Sequence, residues 1–387
     1  MFSNKSSAMN FDPTEDADNI FCVVIRVPIV FILFLSLWSL SLVGIENIHI
    51  RSSHVFANKL NPDVVPGTPF QVALYSGILF LCLVSSVYVS SSLPENKGYG
   101  VWTFCMLVLV LSLLPSAHTY RAQFWYLLKT TERIFSPKGQ VFFIEVFVAD
   151  ALTSLAKTLS DIGLIIWFWT LYDDRLMPTA SSHIINPNVS KCLLQGCMAT
   201  LPFLLRARQC KVCYDNEENL TRKKNHLMNF IKYISSFPVV WIPVTQSIFQ
   251  LQSTSFFNFI KYSALILNSG YSLLWDIKMD WGLFGKSPRW PGTRKITLMN
   301  CAWPYYAAVL VDVFLRFSWL LKLMESCDTC SFMDSKLAFE IIEICRRAMW
   351  FVLRVEWEFI SINDEKNLQP MLQLNSEGNT KPLVHVI

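Results

Sequence analysis

The sequence predicts an all-α protein, a polytopic transmembrane bundle of about nine membrane-spanning helices. Three observations lead there. Hydrophobic residues make up 52% of the chain and charged residues only 16%, far from the balance of a soluble domain. The apolar residues gather in stretches close to the ~20 residues that cross a bilayer. The 33 Lys and Arg are unevenly shared between the segments joining those stretches: 17 fall in 44–68, 116–140, 206–228 and 275–302, and only a handful in the opposite loops.

Spans are expected at Phe21–Val43, Pro69–Val89, Val101–Pro115, Val141–Tyr172, Cys192–Leu205, Asn229–Phe249, Ser255–Leu274, Trp303–Leu323 and Leu337–Ile360. The acidic stretch Asn10–Asp18 precedes the first, where a cleavable signal carries a basic one, so that helix is expected to be retained. With the basic segments in the cytosol, the N-terminus is lumenal and the C-terminal tail cytosolic. One membrane domain, 20–361, then lies between polar tails, 1–19 and 362–387, whose composition suits disorder. Tyr120–Ser136 interleaves Arg121, Lys129 and Arg133 with Phe124, Trp125 and Tyr126, the pattern of an amphipathic helix in the cytosolic interface. Asn188-Val189-Ser190 is a glycan acceptor sequence in a lumenal loop.

The net charge of +4 reflects topology, and nucleic acid is not an expected partner. Most of the eleven cysteines, such as Cys22, Cys82, Cys105 and Cys301, sit in or beside apolar spans and form no disulfide framework. Cys210–Cys213 and Cys327–Cys330 each have the spacing of half a zinc site without a second half, so no metal and no cofactor is expected. No nucleophile elbow or catalytic His pairing accompanies the six histidines, and an enzyme is not expected.

The informative residues are charges inside the apolar spans. A guanidinium at bilayer depth costs at least ~2.5–3.5 kcal/mol, so it must face a protein interior or a wet cavity. The last span carries Arg346 and Arg347 together, with Glu340, Glu343, Arg354, Glu356 and Glu358 around them. At ~100° per residue, Glu340, Glu343, Arg347, Arg354 and Glu358 project close to one direction and Arg346 turns away. Buried ion pairs locking helices and an anion passage are both consistent with that face.

In the fourth span Asp150, Thr153, Lys157 and Asp161 follow at helical steps, one polar stripe on an apolar helix. Asp312, Arg316 and Trp319 repeat the theme in the eighth, where Arg316 can offer a planar fork to an oxyanion. Lys232 and Tyr233 enter the sixth span from its cytosolic end, the lysine either snorkelling to headgroups or turned inward. Asp276 and Asp280 close the seventh. Paired carboxylates suit metal or acid–base work, but with no histidine beside them they are better placed as partners of the membrane arginines.

The strings WDIKMDWGLF (275–284), YYAAVLVDVFLRFSW (305–319) and EICRRAMWFVLRVEWE (343–358) resemble the signature segments of the EXS family. FWYLLK (124–129), FVADALTSL (147–155) and PFLLRARQC (202–210) resemble further family segments in the expected order. This membrane domain is shared by eukaryotic phosphate exporters of the retrovirus-receptor type and the fungal ER-retention-defective protein. The resemblance implies a helical bundle around an inorganic phosphate path. By motif position it assigns phosphate handling to Asp150, Lys232, Tyr233, Asp276, Asp280, Arg316, Trp319, Arg346 and Arg347. Thr153 completes the candidate set, standing where the exporters usually have Asn; Ala156 replaces their Ser and Gly163 an acidic residue.

The exporters place a soluble SPX domain before the membrane domain, whereas the first span here opens by Phe21. The short architecture resembles the ER-retention-defective branch. It implies a Golgi or endoplasmic reticulum membrane and a role in recycling the phosphate released by lumenal glycosylation, with retention of ER residents and Golgi enzymes following from it. Inorganic phosphate, membrane lipids, a homodimer mate and coat or Golgi-enzyme sorting partners are the candidate partners. The alternative is a sorting factor without transport, recruiting partners through the basic segment Arg206–Lys224.

Overall fold

The computed structural model describes residues 13–47, 129–137, 139–167, 187–251, 254–284, 301–320 and 336–376, with Ile50 and Val55. Its helices are α1 (Pro13–Asn47), α2 (Phe143–Thr153), α3 (Ala156–Trp167), α4 (Pro187–Asn216), α5 (Leu220–Ile234), α6 (Ser236–Ile248), α7 (Ser255–Trp275), α8 (Trp303–Arg316) and α9 (Lys336–Ser376). No strand occurs among the described residues. The expected spans Pro69–Val89 and Val101–Pro115, most of Tyr120–Ser136 and the Cys327–Cys330 pair lie outside them.

The long α9 is the axis of the packing, lying against α1 on one side and α8 on another. α3 lies on α1 and α4, and α4 also packs on α2, α5 and α6. Phe147 of α2 is the hub of the main apolar cluster. Its ring meets Phe351 at 4.6 Å and Trp38 at 5.0 Å, and Trp281, Tyr305 and Trp350 are buried beside it. The contacts between α3 and α4 are backbone-close: a Cβ on Gly163 would stand 3.0 Å from Met198 Cγ and 3.1 Å from the Leu194 carbonyl. No acidic side chain has room there, which is the physical reason for glycine at that position.

Two of the expected spans are interrupted. Val141–Tyr172 is not one helix but α2 and α3, parted at Ser154 and Leu155. Thr153 Oγ1 donates to the Asp150 carbonyl at 2.7 Å, and the Ser154 and Leu155 amides reach back only three residues, to Ala151 and Leu152. Hydroxyl side chains compete here with the helical ladder. Asn229–Phe249 is likewise α5 and α6, parted at Ser235. Pro238 lacks the amide that would bond the Ile234 carbonyl, so the ladder cannot run through. The Ser235 hydroxyl turns to the Lys232 carbonyl instead, at 2.7 Å.

A third irregularity ends α7, where Asp276–Asp280 form a π-helical turn closed by the Trp281 amide on the Asp276 carbonyl, 2.9 Å. Gly282, at φ +61°, follows it, pressed against the Trp357 ring so that a Cβ would fall 2.6 Å from it.

α1 and α9 both outrun their expected spans, reaching Pro13 and Ser376, since extending a formed helix needs no new nucleus. Among the described residues one helical run, Leu220–Ile248, is long and apolar enough by itself to cross a membrane. The outer faces of α7 and α8 are apolar and bare, with Phe256, Phe259, Leu267, Leu310 and Phe314 exposed, while Asp276 and Asp312 are buried. That is the reverse of a soluble helix pair.

Candidate functional site

The three helix irregularities, the end of α8 and the N-terminal turns of α9 surround one cavity of about 450 Å3. Broken helices at such a place expose backbone and turn polar side chains inward, which is tolerated only where protein or water covers them. Five basic side chains line it (Lys157, Lys232, Arg316, Arg346, Arg347) against four acidic ones (Asp150, Asp276, Glu340, Glu343).

On the α7–α8 side both arginines face carboxylates. Arg346 forks onto Glu343, with Nε 2.8 Å from Oε2 and Nη2 2.6 Å from Oε1. Its Nη1 stands 3.4 Å from both Asp276 and Asp312. Arg316 donates to Asp276 Oδ2, and its Nε is 3.7 Å from Asp312. Asp312 is fully buried.

On the α2–α3 side the partners are neutral. Arg347 Nε donates to Ser154 Oγ at 2.6 Å and Nη2 to Thr153 Oγ1 at 3.0 Å, with its guanidinium 4.6 Å above the Trp350 ring. Among the described residues no carboxylate lies within 4 Å of it. The Ser154 hydroxyl in turn donates a hydrogen bond to Glu343 Oε1 at 2.8 Å.

Lys232 is turned inward and buried, so the snorkelling alternative falls away. Its Nζ sits 3.9 Å from Asp276 and from Asp280, too far for a hydrogen bond, with the Tyr233 and Trp275 rings at 4.8 and 5.4 Å. Tyr233 donates its hydroxyl to Asp150 Oδ1.

Of the ten residues singled out from the sequence, Asp150, Thr153, Lys232, Tyr233, Asp276, Arg316, Trp319, Arg346 and Arg347 line the cavity together. Asp280 does not. The π turn carries it behind Lys232, where it accepts from Trp350 Nε1 at 3.2 Å and faces Arg354. The break after Thr153 also divides the polar stripe of the fourth span. Lys157 still lines the cavity and bonds Asp161, which turns to a second group where Arg26 binds it and stands 3.5 Å from Glu340.

Two arginines escape the sequence reading. Arg206, expected to open a cytosolic basic segment, is buried: its Nε binds Asp150 Oδ1 at 2.7 Å and its Nη1 the Gln209 side chain at 2.6 Å. Its signal was Gln209 one helical step on, behind an apolar run. Arg26, alone in the first apolar span, would have been found by the desolvation cost that singles out Arg316.

Cys210 and Cys213 are free thiols on α4, and burial pushes the Cys213 thiol above its ordinary value, which disfavours the thiolate a metal ion needs.

Residues 21–360 match the family model described as EXS family. The chain belongs to the EXS family. It is 28% identical over 350 residues to the human protein named solute carrier family 53 member 1, an alignment covering 85% of this chain and 49% of that one. Similar relatives are the xenotropic and polytropic retrovirus receptor 1 homologs of Danio rerio, 28% identical over 352 residues, and Xenopus laevis, 29% over 357, with the same shares covered. The chain spans about half the length of these curated relatives. As an EXS protein it is a membrane protein, and the bare apolar faces of α7 and α8 agree.

Proposed function

We propose that this EXS chain carries inorganic phosphate across a Golgi or endoplasmic reticulum membrane, from lumen to cytosol. It does so within a bundle of about nine spans whose N-terminus is lumenal. The phosphate is that released in the lumen by glycosylation, and clearing it supports glycoprotein processing and, through it, retention of ER residents and Golgi enzymes. Arg347 and Lys232 bind the oxyanion. Arg316 and Arg346, already neutralised, shape the wall, with Asp276 holding them and Asp150 and Asp280 balancing the charge so that phosphate is held without being trapped. Thr153, Tyr233 and Trp319 complete the lining.

One observation carries this reading: a cavity opens onto Arg347, whose only polar partners among the described residues are two hydroxyls, so its charge waits for an anion. The EXS resemblance to phosphate exporters and the name of the human relative, a solute carrier, support it. Uptake of radiolabelled phosphate into proteoliposomes tests it. Arg347→Ala is expected to lower uptake roughly tenfold or more, the worth of one charge-assisted hydrogen-bond set. A sorting factor that recruits partners through the exposed Arg208, Lys211, Arg222 and Lys224 would take up no phosphate and would tolerate the substitution.

A further inference from the structure

We infer that the cavity selects an oxyanion that still carries a hydroxyl, and that Asp150 and Asp276 read that proton. The inference rests on the phosphate reading above and deepens it.

It comes from the unused hydrogen-bonding capacity of the wall. Each carboxylate is engaged through one oxygen only. Asp150 takes both the Arg206 and Tyr233 hydrogen bonds on Oδ1. Asp276 takes those of Arg316 and Arg346 on Oδ2. Among the described residues, Asp150 Oδ2 and Asp276 Oδ1 accept no hydrogen bond, and the nearest cation to Asp276 Oδ1 is Lys232 Nζ at 3.9 Å. Neither oxygen is among the atoms sealed off without a partner, so both keep access to the cavity their residues line. Beside them stand open donors: Lys232 Nζ makes no hydrogen bond, and Arg347 uses Nε and Nη2 but not Nη1.

A ligand that satisfies this wall accepts from Lys232 and Arg347 and donates to a carboxylate. Inorganic phosphate does both, since its mono- and dianion keep at least one P–OH. Sulfate, of nearly the same size, is fully deprotonated near neutral pH and only accepts. It would set a bare oxygen against a carboxylate oxygen, leaving one charged group unpaired in a desolvated place. Sites built to hydrogen-bond a substrate hydroxyl reject the analogue that lacks it by large factors. Arsenate is larger than phosphate but keeps its hydroxyl, which separates proton reading from size.

The test is competition against radiolabelled phosphate uptake in proteoliposomes of the wild-type protein. It is run at about pH 8, where phosphate is mainly the dianion and so matches sulfate in charge. The expected order is arsenate close to phosphate, with sulfate weaker on the order of 100-fold. Sulfate competing within a few-fold while uptake persists overturns this inference and leaves the phosphate reading standing. Absence of phosphate uptake overturns the phosphate reading itself. The double variant Asp150→Asn with Arg206→Gln keeps the buried pair neutral. In protein that still takes up phosphate, a preference narrowed about tenfold is expected, and an unchanged one overturns the role of Asp150. Should that variant fail to fold, the wild-type order alone decides.

Discussion

Arg346 and Arg347 are adjacent in sequence and face two differently built walls. On the α7–α8 wall, Arg346 meets three carboxylates, Glu343, Asp276 and Asp312. On the α2–α3 wall, Arg347 meets two hydroxyls and an aromatic face. A buried cation with matched anions holds helices together; one with neutral donors and acceptors keeps its charge available. On the proposed function the two walls divide the work of structure and of ligand capture, and Ser154 joins them by accepting from Arg347 and donating to Glu343.

The sharpest way to break this comparison is to remove each arginine and read stability and uptake separately. Arg346→Ala leaves Glu343 without a cation and Asp276 and Asp312 to share Arg316, and is expected to destabilise by about 3–5 kcal/mol, read as lost thermal stability or lost folded yield in detergent. Arg347→Ala takes one donor from each of two hydroxyls that keep their other partners, and a smaller loss of roughly 1–2 kcal/mol is expected while phosphate uptake falls more steeply. Equal stability losses from the two would show that both walls are structural.

Gly163→Ala asks whether the α2–α3 wall is held by close backbone packing instead of charge. The new methyl meets Met198 and the Leu194 carbonyl, so a cost of about 1–3 kcal/mol is expected in a thermal melt, with α3 displaced from α4. Thr153→Ala gives the smallest effect. It removes one hydrogen bond to Arg347 and one to the Asp150 carbonyl, about 1 kcal/mol, with uptake reduced a few-fold in proteoliposomes.

Much of the site was legible because charge in an apolar span is rare and expensive, so each instance points to a protein-lined interior. Arg316, Arg346, Asp150 and Asp276 stood out for that reason before any geometry was known. Arg206 did not, because it lies where an apolar run meets a basic one, and hydropathy cannot tell a flanking topology charge from a buried one. Asp280 faces a membrane arginine, Arg354, as expected, but lies off the cavity wall for a different reason. Helical periodicity puts residues four apart on one face, but the π turn adds a residue to that turn and rotates Asp280 behind Lys232. The polar stripe of the fourth span survives its break better: Asp150, Thr153 and Lys157 still line the cavity, and only Asp161 turns away, to Arg26.

Composition and spacing alone determined that the chain is helical and that its apolar stretches bury charge, since those depend on residue type and local order; resemblance to the family marked the segments that carry the EXS signatures. Which charges neutralise one another and which stay open was decided only by tertiary structure. Pairing at 3–4 Å depends on how three broken helices are set against one unbroken one, and a break in a helix resets the direction of every side chain beyond it.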